Sequence, residues 1–332
     1  MNDRQLATIV MGIVTCVTFA CSKPEATAPS GPFVWTPAQA VESQTMRPHV
    51  TVLGIAQDAG YPQADCRKEC CKPAWRDASK SVPVACLGLT VPRESACWLL
   101  DATPDFPRQH HTLTHPGHGR SYVLRGIFLT HAHMGHYAGL IHLGREAMGA
   151  QQVPVYAMPR MRSFLTQHGP WEQLVKIGNV RLAPLEQRET ITLTRQVSVT
   201  PLLVPHRDEY SETVGFIIAG PNAKVLFIPD IDKWERWNDS IEEFIQQVDI
   251  AYLDGTFFAD GEIEGRSMDE IPHPFMMESM ARFKELPLRE RQKIRFIHLN
   301  HTNPALHENS IERQRIRAAG FDVAKVGEVV PL

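Results

Sequence analysis

Residues 123–140 read VLRGIFLTHAHMGHYAGL, and this stretch decides the fold. The apolar run Val123–Leu129 predicts a strand, and it leads directly into His131, His133 and His136, which form the pattern H-x-H-x-x-H. Neutral imidazole is the commonest protein ligand for zinc or iron. A turn beyond a strand end can direct the first two rings at one ion and the third ring at a second ion. The segment Tyr137–Met148, which follows, predicts a helix.

Three more candidate ligands come after predicted strands further along the chain. His206 follows the apolar run 197–204, Asp230 ends the segment KVLFIPD, and His298 ends IRFIH. Layered αβ proteins present their functional groups where strands end, so we expect these side chains to meet. The sequence therefore predicts that His206, Asp230 and His298 gather near the three histidines of the first motif at one metal site.

This constellation predicts hydrolytic chemistry. A metal with an open coordination position lowers the pKa of a bound water towards about 7 and polarises the oxygen under attack. Besides Asp230, two carboxylates are catalytic candidates: Asp58 and Asp254 could each orient a ligating imidazole, and the alternative for both is a backbone cap at a strand end or turn. We expect one or two zinc ions in this site, although iron and manganese accept the same ligands.

A cysteine cluster lies near the start of the body. Cys66, Cys70 and Cys71 fall within DCRKECCKP, and three thiols so close together suit a tetrahedral structural zinc. His301, three residues after His298, is the first candidate for the fourth ligand. Two alternatives stay open: a disulfide from this cluster to one of the two remaining body cysteines at positions 86 and 97, and free buried thiols.

The amino terminus predicts export. Residues 1–21 combine Arg4, an uncharged run from Leu6 to Ala20 and then Cys21, which predicts a signal peptide with a lipobox-like cysteine. A cleaved signal and an uncleaved anchor are the alternatives. Residues 22–48 are rich in Pro, Ala, Thr and Ser and predict a tether, so that residues 49–332 form the folded body outside the cytoplasm, joined to the membrane only by its lipid. The net charge of −3 argues against a nucleic-acid partner.

The rest of the body predicts one domain. Strand-like runs gather at both ends with helices between them, and they include a predicted hairpin of Val84–Thr90 with Ala96–Asp101 and a predicted helix Glu308–Ala319 that ends at Gly320. Two β-rich halves with flanking helices predict an α/β (α+β) αββα sandwich. Histidines at 110, 111, 115 and 118 predict a solvated loop, and His273 fits either the rim of the active site or a structural position.

The order of the candidate ligands resembles the metallo-β-lactamase fold. Members of that fold carry H-x-H-x-D-H after a strand, followed by a histidine, a bridging aspartate and a final histidine. The resemblance implies a metal-binding αββα sandwich in a single domain. It also implies a first metal held by His131, His133 and His206, and a second position formed by His136 and His298, with Asp230 bridging the two. This chain has Gly135 where the pattern has aspartate, and that difference removes one carboxylate from the second metal position.

Five segments narrow the resemblance to the family of the B protein of pyrroloquinoline quinone biosynthesis (PqqB-like) over residues 49–332: VLGIAQDAGYPQADC, LLDATPDF, ETVGFII, LDGTFF and HLNHTNPALHENSIERQRIRAAGFDVA. That family has a zinc site matching Cys66–Cys71, but its active-site histidines are usually incomplete and it usually has asparagine at the position of His301. This chain therefore resembles a relative that kept a hydrolase-like centre. A related cyclic phosphodiesterase family has a histidine three residues after the catalytic one, and this implies that His301 joins the cysteines.

We therefore expect an exported metal-dependent hydrolase that acts on a small-molecule ester, lactone, amide or phosphodiester. The first alternative is an iron-dependent oxygenase or another cofactor-biosynthesis activity of the PqqB type, although an exported lipoprotein is badly placed for a cytosolic maturation step. The second alternative is a non-catalytic metal-binding lipoprotein. The sequence does not name the substrate, because specificity in such a fold comes from loops such as 104–120 and 259–274.

Overall fold

Fourteen strands form two sheets in the residues that the computed structural model describes, which are 46–117, 119–265, 267–268 and 270–332. The predicted signal peptide, residues 22–45 of the predicted tether and position 118 lie outside these ranges. The strands are β1 His49–Gly54, β2 Cys86–Val91, β3 Ala96–Leu100, β4 Val123–Phe128, β5 Val153–Ala157, β6 Val180–Pro184, β7 Ile191–Thr192, β8 Ser198–Leu203, β9 Val214–Ala219, β10 Lys224–Ile228, β11 Ile250–Asp254, β12 Ile294–Ile297, β13 Asp322–Val323 and β14 Val329–Pro331.

The helices are short and lie in the connections between strands. They are α1 Lys72–Arg76, α2 Phe106–Thr114, α3 Met134–Tyr137, α4 Pro159–Gln167, α5 Trp171–Lys176, α6 Ile241–Gln247, α7 Met276–Phe283, α8 Leu288–Arg291 and α9 Ile311–Ala318. Among the described residues, no helix has the length and apolar character needed to cross a bilayer.

Each sheet is mixed, with a parallel half that carries the site. The first sheet has the order β14-β1-β2-β3-β4-β5-β6 and the second has the order β13-β12-β11-β10-β9-β8-β7. Strands β3 to β6 are mutually parallel, and so are β10 to β13. The predicted hairpin is confirmed, because β2 and β3 pair antiparallel with Thr90 opposite Cys97. The carboxyl ends of parallel strands meet at one edge of a sheet. The candidate ligands come after the strands that end at this edge.

Side-chain alternation divides the core into layers. Along β3, Trp98 and Leu100 point into the core between the sheets, whereas Cys97 and Leu99 point into a second core beneath α2 and α4. Both faces of the first sheet are therefore buried, which explains the continuous apolar run of β3. On the other side, helices α6, α7 and α9 cover the second sheet with residues such as Phe283. The predicted αββα sandwich of α/β class, formed as one domain, is confirmed.

The predicted helix Tyr137–Met148 is wrong. Helix α3 ends at Tyr137, and a 3₁₀ segment, Ala138–Leu143, follows it. The reason is a close contact with another segment: the Gly139 amide donates to the carbonyl of Ala102 at 2.8 Å, so it is not available to a continuing helix. A Cβ at Gly139 would lie 2.1 Å from the carbonyl oxygen of Thr103, so only glycine permits this approach.

The last helix agrees with its sequence signals at the carboxyl end and starts later than predicted at the amino end. Ser310 caps α9, because its side chain accepts a hydrogen bond from the Arg313 amide at 3.1 Å. The helix therefore begins at Ile311 rather than at Glu308. Gly320 follows it with φ +91°, a conformation that favours glycine. The strands β6, β7, β13 and β14 were not predicted, because each is short or lacks a clear alternation.

Candidate metal centre

The candidate ligands come together at the carboxyl ends of strands from both sheets. His131 and His133 follow β4, and His206, Asp230 and His298 follow β8, β10 and β12. His136 lies on α3, which begins immediately after His133. The apolar strands fix the backbone on the buried side, and the polar side chains extend beyond the last ladder hydrogen bond. Six residues from four separate segments therefore share one site.

The first group of possible ligands is formed by three histidines and Asp230, whose donor atoms lie within 4.8 Å of one another. His131 Nε2 lies 2.8 Å from His133 Nδ1. Asp230 Oδ2 lies 3.3 Å from His131 Nε2 and 3.2 Å from His206 Nε2. All of these side chains are buried except that of His133, which is 13% exposed.

The second group is formed by Asp58, His136 and His298. The two Nε2 atoms of its histidines lie 3.3 Å apart. Asp230 Oδ2 is also 3.8 Å from His136 Nε2, so this carboxylate lies between the two groups. Asp58 faces the Nε2 atoms of the rings, which is the side away from their orienting partners. It therefore does not stand behind an imidazole as an orienting carboxylate would.

Each of the five imidazoles uses one nitrogen for an outer oxygen and directs the other inward. These outer contacts are His131 Nδ1 with Thr130 Oγ1 at 3.0 Å, His133 Nε2 with Glu209 Oε2 at 3.1 Å, His136 Nδ1 with Asp101 Oδ2 at 2.7 Å, His206 Nδ1 with Asp232 Oδ1 at 3.1 Å, and His298 Nδ1 with Thr256 Oγ1 at 3.0 Å. Partners of this kind set the tautomer and leave a lone pair on the inner nitrogen.

The two threonine contacts have a defined direction. Thr130 Oγ1 donates to Asp101 Oδ2 at 3.1 Å, and Thr256 Oγ1 donates to Asp254 Oδ1 at 2.7 Å. Each hydroxyl proton is therefore committed to a carboxylate, so the hydroxyl oxygen accepts from the histidine Nδ1–H beside it. Asp254 thus acts on His298 through Thr256, and its second oxygen accepts from the Ile231 amide at 3.1 Å.

The donor set fits a divalent metal. A tetrahedral zinc with Zn–N bonds of about 2.0–2.1 Å separates neighbouring nitrogens by about 3.3 Å. The inner nitrogens of His136 and His298 have this separation, 3.3 Å, and those of His131 and His133 are closer at 2.8 Å. His206 Nε2 and Asp58 Oδ1 are buried and have no hydrogen-bond partner. Buried polar atoms without a partner are costly unless something else satisfies them, and a cation at the shared centre would do so.

The charges in the site suit the same reading. Burial lowers the pKa of His131 well below its usual value, so that ring is neutral, as a ligand must be. Burial acts to lower the pKa of His136 and His206 as well, but Asp101 beside the first ring and Asp230 beside the second outweigh it, and they raise the pKa of His136 well above its usual value and that of His206 to about 9. A metal would have to displace the protons of these two rings. Burial acts to raise the pKa of Asp230, but the positive charges of His206 and His273 outweigh it and hold that pKa well below the usual range. Asp230 is therefore a carboxylate at neutral pH. The backbone is strained at the site too, since Asp101 has φ 72° and His298 has φ 67°.

His273 is not at an open rim but is buried against the centre. Its Nδ1 lies 3.2 Å from Asp230 Oδ1 and 2.9 Å from Asp254 Oδ2. Burial acts to lower the pKa of His273, but the two carboxylates outweigh it and raise that pKa well above the usual value. His273 is therefore a cation that holds both buried carboxylates in place.

A separate group of possible ligands is formed by Cys66, Cys70, Cys71 and His301, whose donor atoms also lie within 4.8 Å of one another. The Sγ atoms of Cys66 and Cys70 are 3.7 Å apart, and tetrahedral zinc with Zn–S bonds of about 2.3 Å requires about 3.8 Å. His301 Nδ1 contacts Asn300 Oδ1 at 3.0 Å, which leaves its other ring nitrogen for the cysteines. Burial raises the pKa of the Cys71 thiol to about 12, so a bound metal must displace its proton.

The other cysteines and the histidine-rich segment stay away from both groups. Cys86 and Cys97 lie in the core beneath the helices, and all five described cysteines are free thiols, so the disulfide alternative is not formed. The histidines at 110 and 111 lie on α2 and His115 follows it, which corrects the predicted loop. Within the described ranges, none of these three histidines belongs to a group that could hold a metal.

The sequence similarity of this chain to known proteins agrees with a metal site of this kind. The family model for the β-lactamase superfamily domain matches residues 98–323, which is more than half of the chain. The chain belongs to the metallo-β-lactamase superfamily. Within the superfamily it is similar to coenzyme PQQ synthesis protein B of Methylorubrum extorquens, with 28% identity over 315 residues that cover 86% of this chain and 100% of the relative. The corresponding protein of Xanthomonas campestris is 27% identical over 310 residues, covering 85% of this chain and 99% of that one.

A solved structure shows the same similarity. The crystal structure of Zn²⁺-bound PqqB from Methylobacterium extorquens superposes with a TM-score of 0.71 at 26% identity, and the match covers 86% of this chain and 100% of that chain. The predicted resemblance to the superfamily and to the PqqB-like family is confirmed. Against the superfamily pattern H-x-H-x-D-H, the departure of this chain at Gly135 remains.

Several functional residues of this superfamily site were not found from the sequence. They are the residues whose oxygens accept hydrogen bonds from the outer nitrogens of the ligating histidines: Asp101, Thr130, Glu209, Asp232 and Thr256. Two kinds of sequence signal could have indicated them. Thr130 and Asp232 lie within two residues of a ligand, and Asp101 and Thr256 fall in the family segments LLDATPDF and LDGTFF. Apart from that of Thr130 with His131, each pairing joins segments at least 26 residues apart, so local sequence alone does not assign it.

Proposed function

We propose that this protein is a metal-dependent hydrolase. One observation carries the proposal: two adjacent groups of inward-facing donors share Asp230, and the side chains of His133 and Asp58, 13% and 35% exposed, lie where solvent reaches the centre. A metal carrier would be expected to surround its ion with protein ligands. A centre that is open on one side leaves space for water and a substrate.

When bound, a divalent ion in such a site lowers the pKa of a coordinated water towards about 7 and polarises the oxygen under attack. The residues of this chain fix the geometry for that chemistry. Asp101 and Asp232 hold the rings of His136 and His206, and His273 holds Asp230 through its Nδ1. Because the orienting partners are in place before any substrate arrives, the ligands need little reorganisation.

A guanidinium lies beside the exposed ligand His133 at the entrance. Arg207 Nη2 lies 3.5 Å from His133 Nδ1, and its Nη1 is 3.5 Å from Glu209 Oε1. A phosphodiester, or an ester, lactone or amide with a nearby carboxylate, would meet this guanidinium on entry. We propose zinc as the resident metal of the histidine centre and of the cysteine site, while iron and manganese accept the same histidine and carboxylate ligands.

The test is a panel of ester, lactone, amide and phosphodiester substrates, assayed with zinc-, manganese- and iron-loaded protein. We expect turnover of at least one class and a loss of at least about 100-fold in kcat/KM for His133→Ala, because that ligand belongs to the centre. His111→Ala is the matched control, since His111 is an exposed histidine on α2 outside the centre. Equal activity of His133→Ala and wild type would refute the assignment.

A second candidate is a cofactor-biosynthesis activity of the PqqB type. The similarity to coenzyme PQQ synthesis protein B over 86% of the chain supports it. The two candidates differ in their dependence on metal and oxygen. Activity that requires iron and consumes dioxygen would favour the second candidate, whereas activity with zinc in the absence of oxygen favours hydrolysis. A third candidate, a non-catalytic metal-binding lipoprotein, predicts no turnover in any arm of the panel.

We also propose that the protein works outside the cytoplasm as a lipoprotein, on a small-molecule substrate. The support is the segment 1–21 with its lipobox-like Cys21, followed by the Pro- and Ser-rich tether. Labelling of the full chain with a radioactive fatty acid in a bacterial host should modify the wild type, and Cys21→Ala should abolish the label. A labelled Cys21→Ala variant would contradict the lipid anchor.

A further inference from the structure

The second group of ligands contains a carboxylate that the superfamily pattern does not place there. In the pattern H-x-H-x-D-H, an aspartate precedes the third histidine, and this chain has Gly135 at that position. Without that aspartate, His136, His298 and the shared Asp230 would be the only protein donors of the second position. A divalent metal at this position would lack one anionic ligand.

The space that a side chain at position 135 would need is already filled. A Cβ built on Gly135 would lie 2.3 Å from Asp58 Cα and 2.3 Å from Asp58 Oδ1. Real Cβ atoms do not approach backbone and carboxylate atoms so closely, so an aspartate at position 135 and the present position of Asp58 exclude each other. Glycine is therefore required here for space, because its φ is not in the left-handed region.

The carboxylate of Asp58 points at the inner nitrogens of the second group. Asp58 Oδ1 lies 3.3 Å from His136 Nε2 and 3.7 Å from His298 Nε2. Both rings use their Nδ1 atoms for Asp101 and Thr256, so their Nε2 atoms and Asp58 Oδ1 converge on one point. Asp58 Oδ1 is also buried and has no hydrogen-bond partner.

The loop that carries Asp58 is attached to the segment that carries His298. The Gln57 amide donates to the Leu299 carbonyl at 2.8 Å, and the Leu299 amide donates to the Ile55 carbonyl at 2.8 Å. The Gly60 amide then donates to the Gln57 carbonyl at 2.7 Å and closes the turn around Asp58. The position of the carboxylate is therefore set by the backbone.

We propose that Asp58 is a ligand of the second metal position and supplies, from the loop after β1, the carboxylate that the superfamily pattern supplies at position 135. This inference rests on the proposed two-position metal centre, but it does not depend on which reaction the protein catalyses. An aspartate at 58 goes with a glycine at 135, because any side chain at 135 would require the backbone at residue 58 to move.

The experiment counts metal ions per chain by mass spectrometry and measures zinc affinity by competition with a chelator, so neither measurement needs a substrate. Wild type is compared with Asp58→Ala, Gly135→Asp and the control Asp65→Asn. The control replaces an aspartate of the following loop whose side chain is 87% exposed. Circular dichroism checks that each variant is folded.

We expect Asp58→Ala to keep the first histidine-site ion and the cysteine-site ion but to bind the remaining zinc at least tenfold more weakly. Gly135→Asp should lose the same ion because its Cβ would displace the backbone and the carboxylate of Asp58, and the control should match wild type. Wild-type zinc content and affinity in Asp58→Ala would overturn the proposal, and so would a wild type that holds only one ion in the histidine centre. Failure of every hydrolysis assay would refute the proposed function and leave this result unchanged.

Discussion

Asp101 gives the sharpest test of how this site prepares its ligands. The residue is fully buried, and its Oδ2 accepts from His136 Nδ1 at 2.7 Å while its Oδ1 accepts from the Thr130 amide at 2.8 Å. We choose Asp101→Asn because asparagine has the same shape and tolerates the positive φ of 72° at this position. The substitution keeps the bond to the Thr130 amide but places an NH₂ group against His136 Nδ1.

The expected effect follows from the tautomer of His136. An NH₂ group cannot accept a proton from Nδ1, so the ring moves its proton to Nε2, which is the nitrogen that faces the second metal position. Loss of an outer partner of this kind weakens metal binding about 10- to 100-fold, which equals about 1.4–2.7 kcal/mol. The cysteine site should keep its metal, because Asp101 contacts none of its ligands.

The assay is zinc competition with a chromophoric chelator, combined with the metal content after dialysis. Asp105→Asn is the matched control, since Asp105 accepts from the Val84 amide at 2.8 Å and belongs to neither group of ligands. We expect weakened zinc binding in the histidine centre of Asp101→Asn and no change in the control, because the substitution also removes the acceptor of the Thr130 hydroxyl beside His131. Unchanged zinc affinity in a folded Asp101→Asn variant would refute the argument that the outer carboxylate sets the tautomer.

Three further predictions concern the rest of the molecule. Cys70→Ser should bind one zinc fewer per chain than wild type and melt several degrees lower, measured by metal analysis and calorimetry; an unchanged zinc content would contradict a metal in the cysteine site. Burial raises the pKa of Glu262 to about 7, so the folded state binds that proton more tightly than the unfolded chain, and the stability it contributes is present below pH 4.5 and lost as the pH rises through 7. At pH 8 the free energy of unfolding, measured by denaturant titration, should therefore be higher for Glu262→Gln than for wild type by up to about 2 kcal/mol, and at pH 4.5 the two should differ little. A difference that grows towards low pH would contradict the argument. Ser310→Ala should cost about 1 kcal/mol in urea unfolding because it removes the cap of α9, and an effect below about 0.3 kcal/mol would show that the cap is not needed.

Much of the fold was predictable because its signals are local. Apolar runs predict β4, β8, β10 and β12 within one residue, since a strand that lines the core carries mostly apolar side chains. The spacing of His131, His133 and His136 and the placing of His206 and His298 after strands predict the donor chemistry, because ligand type is a property of each side chain. The helix Tyr137–Met148 could not be judged in this way, since the contact of Gly139 with Ala102 is tertiary.

The sequence by itself therefore determined which atoms are available to bind a metal and which strands carry them. Only the tertiary structure decided which of these atoms meet. It sets Asp58 in front of His136 in the space left by Gly135, and it sets Asp101 behind the same ring. The physical reason is that such pairings depend on the order and register of strands far apart in the chain, and on space measured in tenths of an ångström, neither of which is encoded in the periodicity of any single segment.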